Sequence, residues 1–448
     1  MDFSSNNFSS VIPPAIGMSL SMAIFFSLSN NSFQGSIPKS ICKAGYLKVL
    51  DLSHNNLTEI IPDCLVMESL KILNLRNNAL NGSIINFPET CGLRTLDLSS
   101  NRLQGQFPEF LANCTNLEVL DVGKNQIDDL YPCQLKSIAS LRVLVLRSNK
   151  FHGAVGCPGT NGTWKMLQIV DISSNNFSGA LPFKYLTTWE AMKADVDFYY
   201  IQYSFLGASG LYYQDTVSVT IKGLQVVLVK ILTLFTSIDF SCNNFEGPIP
   251  NTLEALKALY FLNLSNNAFS GPNPPSLGHL QQLESLDLSR NDLNGTIPTQ
   301  LLDLNFLSML NLSYNKLVGC IPPIKQFLTF SASSFENNSG LCGFPLETNC
   351  SSSFGENLGF CGIVLDKICS ITTHGTEEAG CVPSKSDSDD DRDNNDNEKN
   401  WFYMGIPLGF VVGLWAFCGP LAFIRSWRFA YYQLWNKVLF RHVHEEFH

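Results

Sequence analysis

LKVLDLSHNNLTEIIP (47–62) and LKILNLRNNALNGSI (70–84) are two copies of one pattern. LRTLDLSSNRLQGQFP (93–108) and LEVLDVGKNQIDDLYP (117–132) repeat it, and the shared frame is L-x-x-L-x-L-x-x-N-x-L-x-G-x-I-P. Its first Asn falls at 6, 31, 55, 78, 101, 125, 149 and 175, and again at 243, 267, 291 and 315. The steps are 23 to 26 residues, apart from one jump of 68 between 175 and 243. Self-similarity at such a period is the signature of a solenoid.

Each position of the frame has a physical reading. L-x-L predicts a short strand whose two Leu side chains enter the core, and successive strands stack in parallel about 4.8 Å apart. The Asn turns inward and satisfies backbone groups that a buried turn would otherwise leave unpaired. Gly permits the tight turn before Ile-Pro, and Pro ends the segment. The expected fold is an α/β solenoid, a right-handed curved superhelix of leucine-rich repeats. Each repeat buries its core only against its neighbours, so the ends need caps.

The chain has 448 residues, 45% of them apolar, and a net charge of −10. That charge argues against nucleic acid as a partner. Much of the acid is one run: Asp387, Asp389, Asp390, Asp391, Asp393, Asp396 and Glu398. Fourteen cysteines and twelve Asn-x-Ser/Thr sequons favour an oxidising, secretory compartment, although an Asn- and Ser-rich repeat also makes sequons by chance. The candidate N-glycosylation sites are Asn7, Asn30, Asn56, Asn81, Asn113, Asn161, Asn176, Asn263, Asn294, Asn311, Asn337 and Asn349. Repeat geometry brings Cys42 to Cys64, and Cys133 and Cys157 flank one repeat. Cys342 and Cys350 pair within the C-terminal cap. Cys91 and Cys114 are either a pair or two buried thiols, and Cys242 and Cys320 have no obvious partner.

The organisation follows. Residues 1–181 hold about eight repeats, 182–225 an island insertion, 226–325 four more repeats, and 326–350 the cap. An acidic juxtamembrane segment covers 351–400, a transmembrane helix 401–424 and a cytosolic tail 425–448. WFYMGIPLGFVVGLWAFCGPLAFI (401–424) carries no charge and is long enough to cross ~30 Å of hydrocarbon. Arg425 and Arg428 follow it, so the positive-inside rule places the repeats outside the cell. Gly405, Gly409 and Gly413 stand four apart, a stripe on which a partner helix could pack closely. The chain opens MDFSSNNFSS without a basic run, so no export signal is read there and a shortened start is expected. The island is rich in Tyr and alternates at TVSVTIKG like a strand; it is either a contact surface or a spacer. Ser53, His54, Arg76, Lys124 and Arg147 follow L-x-L and, with Tyr212 and Tyr213 of the island, are the candidate ligand contacts. No kinase fits in the 24 residues after Ile424. No enzyme activity, cofactor or metal is expected. HEEFH (444–448) matches a zinc motif but ends without a third ligand.

Several segments carry a family resemblance: KFHGAVGCPGTNGTWKMLQIVDISSNNFSG (150–179), YYQDTVSVTIKGLQVVLVKILTLFTSIDFSCNNFEGPIP (212–250) and SSFENNSGLCGFPL (333–346). They resemble the C-terminal part of plant leucine-rich-repeat receptor-like proteins, and more narrowly the Verticillium-wilt-resistance-like group. The resemblance covers essentially all of 1–424 and implies a kinase-less plasma-membrane receptor, single-pass with its N-terminus outside. It implies an apoplastic protein or peptide ligand, pathogen-derived in defence. It also implies an adaptor leucine-rich-repeat receptor kinase at the transmembrane and juxtamembrane region, and a somatic-embryogenesis-type co-receptor kinase. A developmental peptide co-receptor, or an interfering fragment, stands as the alternative on the same scaffold.

Overall fold

The computed structural model describes residues 1–157, 164–181, 186–193, 205–206, 213–221, 224–346, 348 and 350, all within the unit Met1–His374. Its backbone is a parallel sheet of eleven strands. These are β1 (Phe25–Ser27), β2 (Val49–Asp51), β3 (Ile72–Asn74), β4 (Thr95–Asp97), β5 (Val119–Asp121), β6 (Val143–Val145) and β7 (Ile169–Asp171). They continue, beyond the island strands β8 (Val217–Ile221) and β9 (Leu224–Leu228), as β10 (Ser237–Asp239), β11 (Phe261–Asn263), β12 (Ser285–Asp287) and β13 (Met309–Asn311). β7 pairs directly with β10, Ile169 opposite Ser237 and Asp171 opposite Asp239, so the insertion leaves the register unbroken.

The two Leu of each L-x-L feed one core that runs from Ile12 to Leu341. Beside it the frame Asn forms a ladder. Asn125 donates through Nδ2 to the carbonyls of Leu98, Val122 and Gly123, and its Oδ1 accepts from Leu103 N–H. The neighbours repeat this geometry. Asn338 extends it into the cap, where its Oδ1 accepts from Leu317 N–H at 2.9 Å. Position N-x-L of the frame becomes Phe in four consecutive repeats. Phe151, Phe177, Phe245 and Phe269 stack with centroids 6.0, 6.4 and 6.1 Å apart.

The α/β description needs correction. The segments after Pro38, Pro108, Pro250 and Pro298 are 3₁₀ turns of five residues, not α-helices. A repeat of this length leaves about one turn between the Pro and the next strand, and short 3₁₀ pieces suit that span. Ile16–Ser19, in the first repeat, is a four-residue α-helix. On the far side of the core the Gly of G-x-I-P takes a left-handed backbone, as at Gly105 (φ 86°) and Gly153 (φ 76°), and a second set of parallel strands forms. That second sheet breaks between Gln126–Ile127 and His152–Ala154. Asp129 stands there where the frame has Gly, and its carboxylate accepts from Phe107 and Leu130 N–H, tying the turn differently. A cleft of about 890 Å³ opens at the break, walled in part by Phe107, Phe110 and Leu130.

Disulfides join neighbouring repeats: Cys42–Cys64, Cys91–Cys114 and Cys133–Cys157. Cys342–Cys350 closes the cap, and Cys320 Sγ lies 3.2 Å from Cys350 Sγ. Cys242 is an exposed thiol. Among the described residues no helix is long and apolar enough to cross a membrane. Residues 401–424, with Gly405, Gly409 and Gly413, and the acid run from Asp387 to Glu398 lie outside the described residues.

Candidate functional site

The first and third residues of each strand point away from the core. The third is usually Asp, in the run L-D-L-S, and it has a local task. Asp97 Oδ1 accepts from Ser99 N–H and Oγ at 2.9 and 2.6 Å, and Asp171 and Asp239 hold Ser173 and Ser241 in the same way. Asn does this task equally well: Asn263 and Asn311 hold Ser265 and Ser313 through Oδ1. The negative charge is therefore surplus to the turn.

The island folds back over this face. β8 and β9 form an antiparallel hairpin, and Val217, Val219, Leu206 and Ile231 pack on Val119, Val143, Val145 and Ile169 as a second apolar core. Polar pins surround the patch. Asp215 takes Arg94 at 2.7 Å and Thr95 Oγ1 at 2.7 Å, with no exposure of its own side chain. Asn74 Nδ2 donates to the Tyr213 hydroxyl at 2.9 Å, and Arg76 donates to Ser218 Oγ at 3.1 Å. Gln168 Nε2 donates to the carbonyls of Leu232 and Phe235 at the exit, where the Phe235 ring leans on Phe261 at 5.2 Å.

This cover changes the electrostatics of the acids beneath it. Burial, then the neighbouring Asp97, pushes the Asp121 carboxyl up to about 8. Burial and Asp239 push Asp171 up to about 7, against the pull of Arg147 and Ser173. Asp97 and Asp239 are also raised, burial first. The Tyr213 phenol is raised by burial and by Asp51, Asp97 and Asp215. Burial and Arg76 lower the His54 imidazole.

The expected ligand contacts fall out differently. Ser53 is 4% exposed, its N–H tied to Asp51, and Arg147 is 5% exposed and paired with Asp171 at 3.4 Å; both are corrections. The residue after L-x-L turns under the preceding acid, and Arg147 lies along the sheet beneath the island. Arg76 and Tyr213 are half-buried in island contacts, and Lys124 Nζ reaches Gln225 at 3.5 Å. His54 is exposed, its ring beside Asn77 at 3.0 Å. Tyr212 lies outside the described residues, as do Asn161 and Asn349. Of the other sequon residues, Asn7, Asn30, Asn56, Asn81, Asn176, Asn294 and Asn337 are exposed, while Asn113, Asn263 and Asn311 are half-buried. Asp215, Arg94 and Thr95 went unread from sequence. The signal was Val145, at a third strand position where the other ten strands of the sheet carry Ser, Asp or Asn.

Asp215→Ala is expected to release the hairpin. Arg94 keeps Glu118 at 3.3 Å, but Thr95 loses its acceptor and the island its buried ionic pin. Hydrogen exchange across 217–228 rises at least about tenfold on that reasoning. Unchanged exchange there would mean the apolar patch alone seats the island.

Comparison with known proteins places this architecture. Leucine-rich-repeat family models match residues 24–44, 46–66, 91–151, 258–280 and 282–304. Receptor-like protein 49 of Arabidopsis thaliana is 51% identical over 353 residues, covering 78% of this chain and 41% of that protein. Receptor-like protein 53 of the same plant is 49% identical over 326 residues, covering 72% of this chain and 33% of that protein. The chain spans between 24% and 44% of the length of such relatives. A leucine-rich-repeat protein of Leptospira interrogans shares the fold, at 22% identity and a TM-score of 0.52, over 75% of this chain and 71% of that one. With the repeats, the Asn ladder and these identities together, the chain belongs to the plant leucine-rich-repeat receptor-like proteins.

Proposed function

We propose that the protein is a kinase-less cell-surface receptor of plants that binds an apoplastic ligand and signals through a partner receptor kinase in defence. The observation that carries this reading is the island seated on the outward face of the sheet. A long insertion that gives up solvent to cover its own scaffold is a built feature and not a slack loop. Its outer strand turns Leu224, Val226 and Val227 to solvent, an apolar strip on which a protein or peptide ligand can rest. The relatives, named as receptor-like proteins, support the same reading. The partner kinases are those the sequence resemblance implies: an adaptor kinase beside residues 387–424 and a somatic-embryogenesis-type co-receptor.

The test is association. Gly405, Gly409 and Gly413 remove side chains from one stripe of the proposed membrane helix, so two backbones can approach. Replacing all three with Leu in the full chain is expected to lower co-purification with an adaptor kinase at least about tenfold, a loss of ~1.4 kcal/mol. Converting the acids from Asp387 to Glu398 to Asn or Gln should lower it less, and less still at high salt. Full association in both variants would remove the membrane-proximal contact from the proposal.

A further inference from the structure

We propose that the island hairpin is a proton-linked cover on the main sheet, seated in acid and released as the pH rises through neutrality. It deepens the receptor reading by naming what controls access to that face, and rests on that reading only for its use. Its test needs neither ligand nor partner kinase, so the two can fail separately.

The geometry comes first. Six outward acids line the sheet: Asp51, Asp97, Asp121, Asp171, Asp239 and Asp287. The outer two, Asp51 and Asp287, are half-buried. The inner four lie beneath or beside the hairpin and are 2–4% exposed. These four are brought into low dielectric by a segment that is attached to the solenoid only at its ends. The charge they carry is not needed for the turns they hold, because Asn74, Asn263 and Asn311 hold the same turns.

Among the described residues, only Asp171 of the inner acids has a cation at ion-pair distance, Arg147 at 3.4 Å. From the sheet come Arg76, Arg94, Arg147, Lys124, Arg142, Glu118 and His54; from the island come Tyr213, Asp215 and Lys230. Arg94 is taken by Asp215 and Glu118, and Arg147 reaches Asp171 alone. Arg76 donates to Ser218, Lys124 to Gln225 and Arg142 to Gln168, while Lys230 sits over the Phe205 ring. Among the described residues no cation lies within ion-pair distance of Asp97, Asp121 or Asp239. The island brings a further carboxylate of its own to the cluster, and two neutral hydroxyls, Ser218 and Thr220.

The sign follows from linkage. In the seated state the Asp121 carboxyl is raised to about 8 and Asp171 to about 7. With the hairpin lifted both lose burial and fall, toward the outer acids Asp51 and Asp287, which burial in the sheet also raises. Between those limits the seated state holds the extra protons, so seating weakens as pH rises. From pH ~5.5 to ~7.5 the two acids together shift the open-to-seated ratio at least about tenfold.

The experiment is hydrogen exchange on the full-length protein at the two pH values, corrected for the intrinsic exchange rate. Protection of β8 and β9 is expected to fall at least about tenfold at the higher pH, while β12 and β13 keep theirs. Asp121→Asn with Asp171→Asn is expected to hold β8 and β9 protected at both. Should that pair of changes disturb β12 and β13, Asp121→Asn alone is expected to shrink the pH response at least about threefold. Equal wild-type protection at the two pH values overturns the proposal. So does an undiminished response in the Asn variants, or a loss that extends through β12 and β13.

Discussion

Asn125→Leu is expected to destabilise the solenoid by about 3 kcal/mol, although Leu is close to Asn in shape and the site is 9% exposed. The change strands one backbone group, Leu103 N–H, which loses its acceptor. Three carbonyls each lose one of two donors: Leu98 keeps Asn101 Nδ2, Val122 keeps Asn149 Nδ2 and Gly123 keeps Ser100 N–H. A buried polar group left without a partner costs about 1–3 kcal/mol, and the three carbonyls, each keeping one donor, add less apiece. The damage does not stay in one repeat, since each is stable only through its neighbours. Urea denaturation followed by circular dichroism should show an earlier or split transition. A loss below about 1 kcal/mol would mean that the ladder is decoration and the Leu core carries the stack.

Asn273→Ile is expected to do the reverse and stabilise the protein by about 3 kcal/mol. Asn273 occupies the Ile position of G-x-I-P, in GPNP (271–274), between repeats that place Ile249 and Ile297 there. It is 1% exposed, and neither Oδ1 nor Nδ2 has a hydrogen-bond partner among the described residues. The fold thus contains a buried amide at an apolar position. Ile removes the unpaired donor and acceptor and adds apolar burial of a kind worth about 1.5–3 kcal/mol. The larger side chain needs a small adjustment, which is why the gain is set below the sum of these contributions. A fall in the urea midpoint would show that the site is shaped for the amide.

The scaffold was legible in the sequence because its contacts are local in repeat number. Asn78 touches groups in its own repeat and the one before, so a frame of one repeat contains the whole argument. The disulfides follow for the same reason: Cys42 and Cys64 are 22 residues apart and one layer apart. The 3₁₀ turns were not legible, because the period says how long a connection is and not how it coils. The island was legible as an insertion and illegible as a cover. Tyr213 meets Asn74 across 139 residues, and Asp215 meets Thr95 across 120, and no period predicts either meeting. Arg147 and Ser53 were placed facing a ligand on the same account: their positions are outward by frame, and only the docked hairpin and the L-D-L-S turn bury them. Val145 is the residue that could have announced the cover, since the other ten strands of the sheet place Ser, Asp or Asn at that position.

The stacked rings of Phe177 and Phe245 are 68 positions apart in the chain and one layer apart in space, with the strand register passing from Ile169 to Ser237 as though the residues between had been cut out. To the stack of repeats, the island is an excursion that alters neither strand register nor ring stacking. Lengthening it adds only loop closure, about 0.6 kcal/mol for each doubling. Changing its solvent-facing strand disturbs neither the Asn ladder nor the Phe stack. On the receptor reading proposed above, that strand can vary while the frame beneath it stands still, as long as the docking residues Asn74, Arg94 and Thr95 keep their partners.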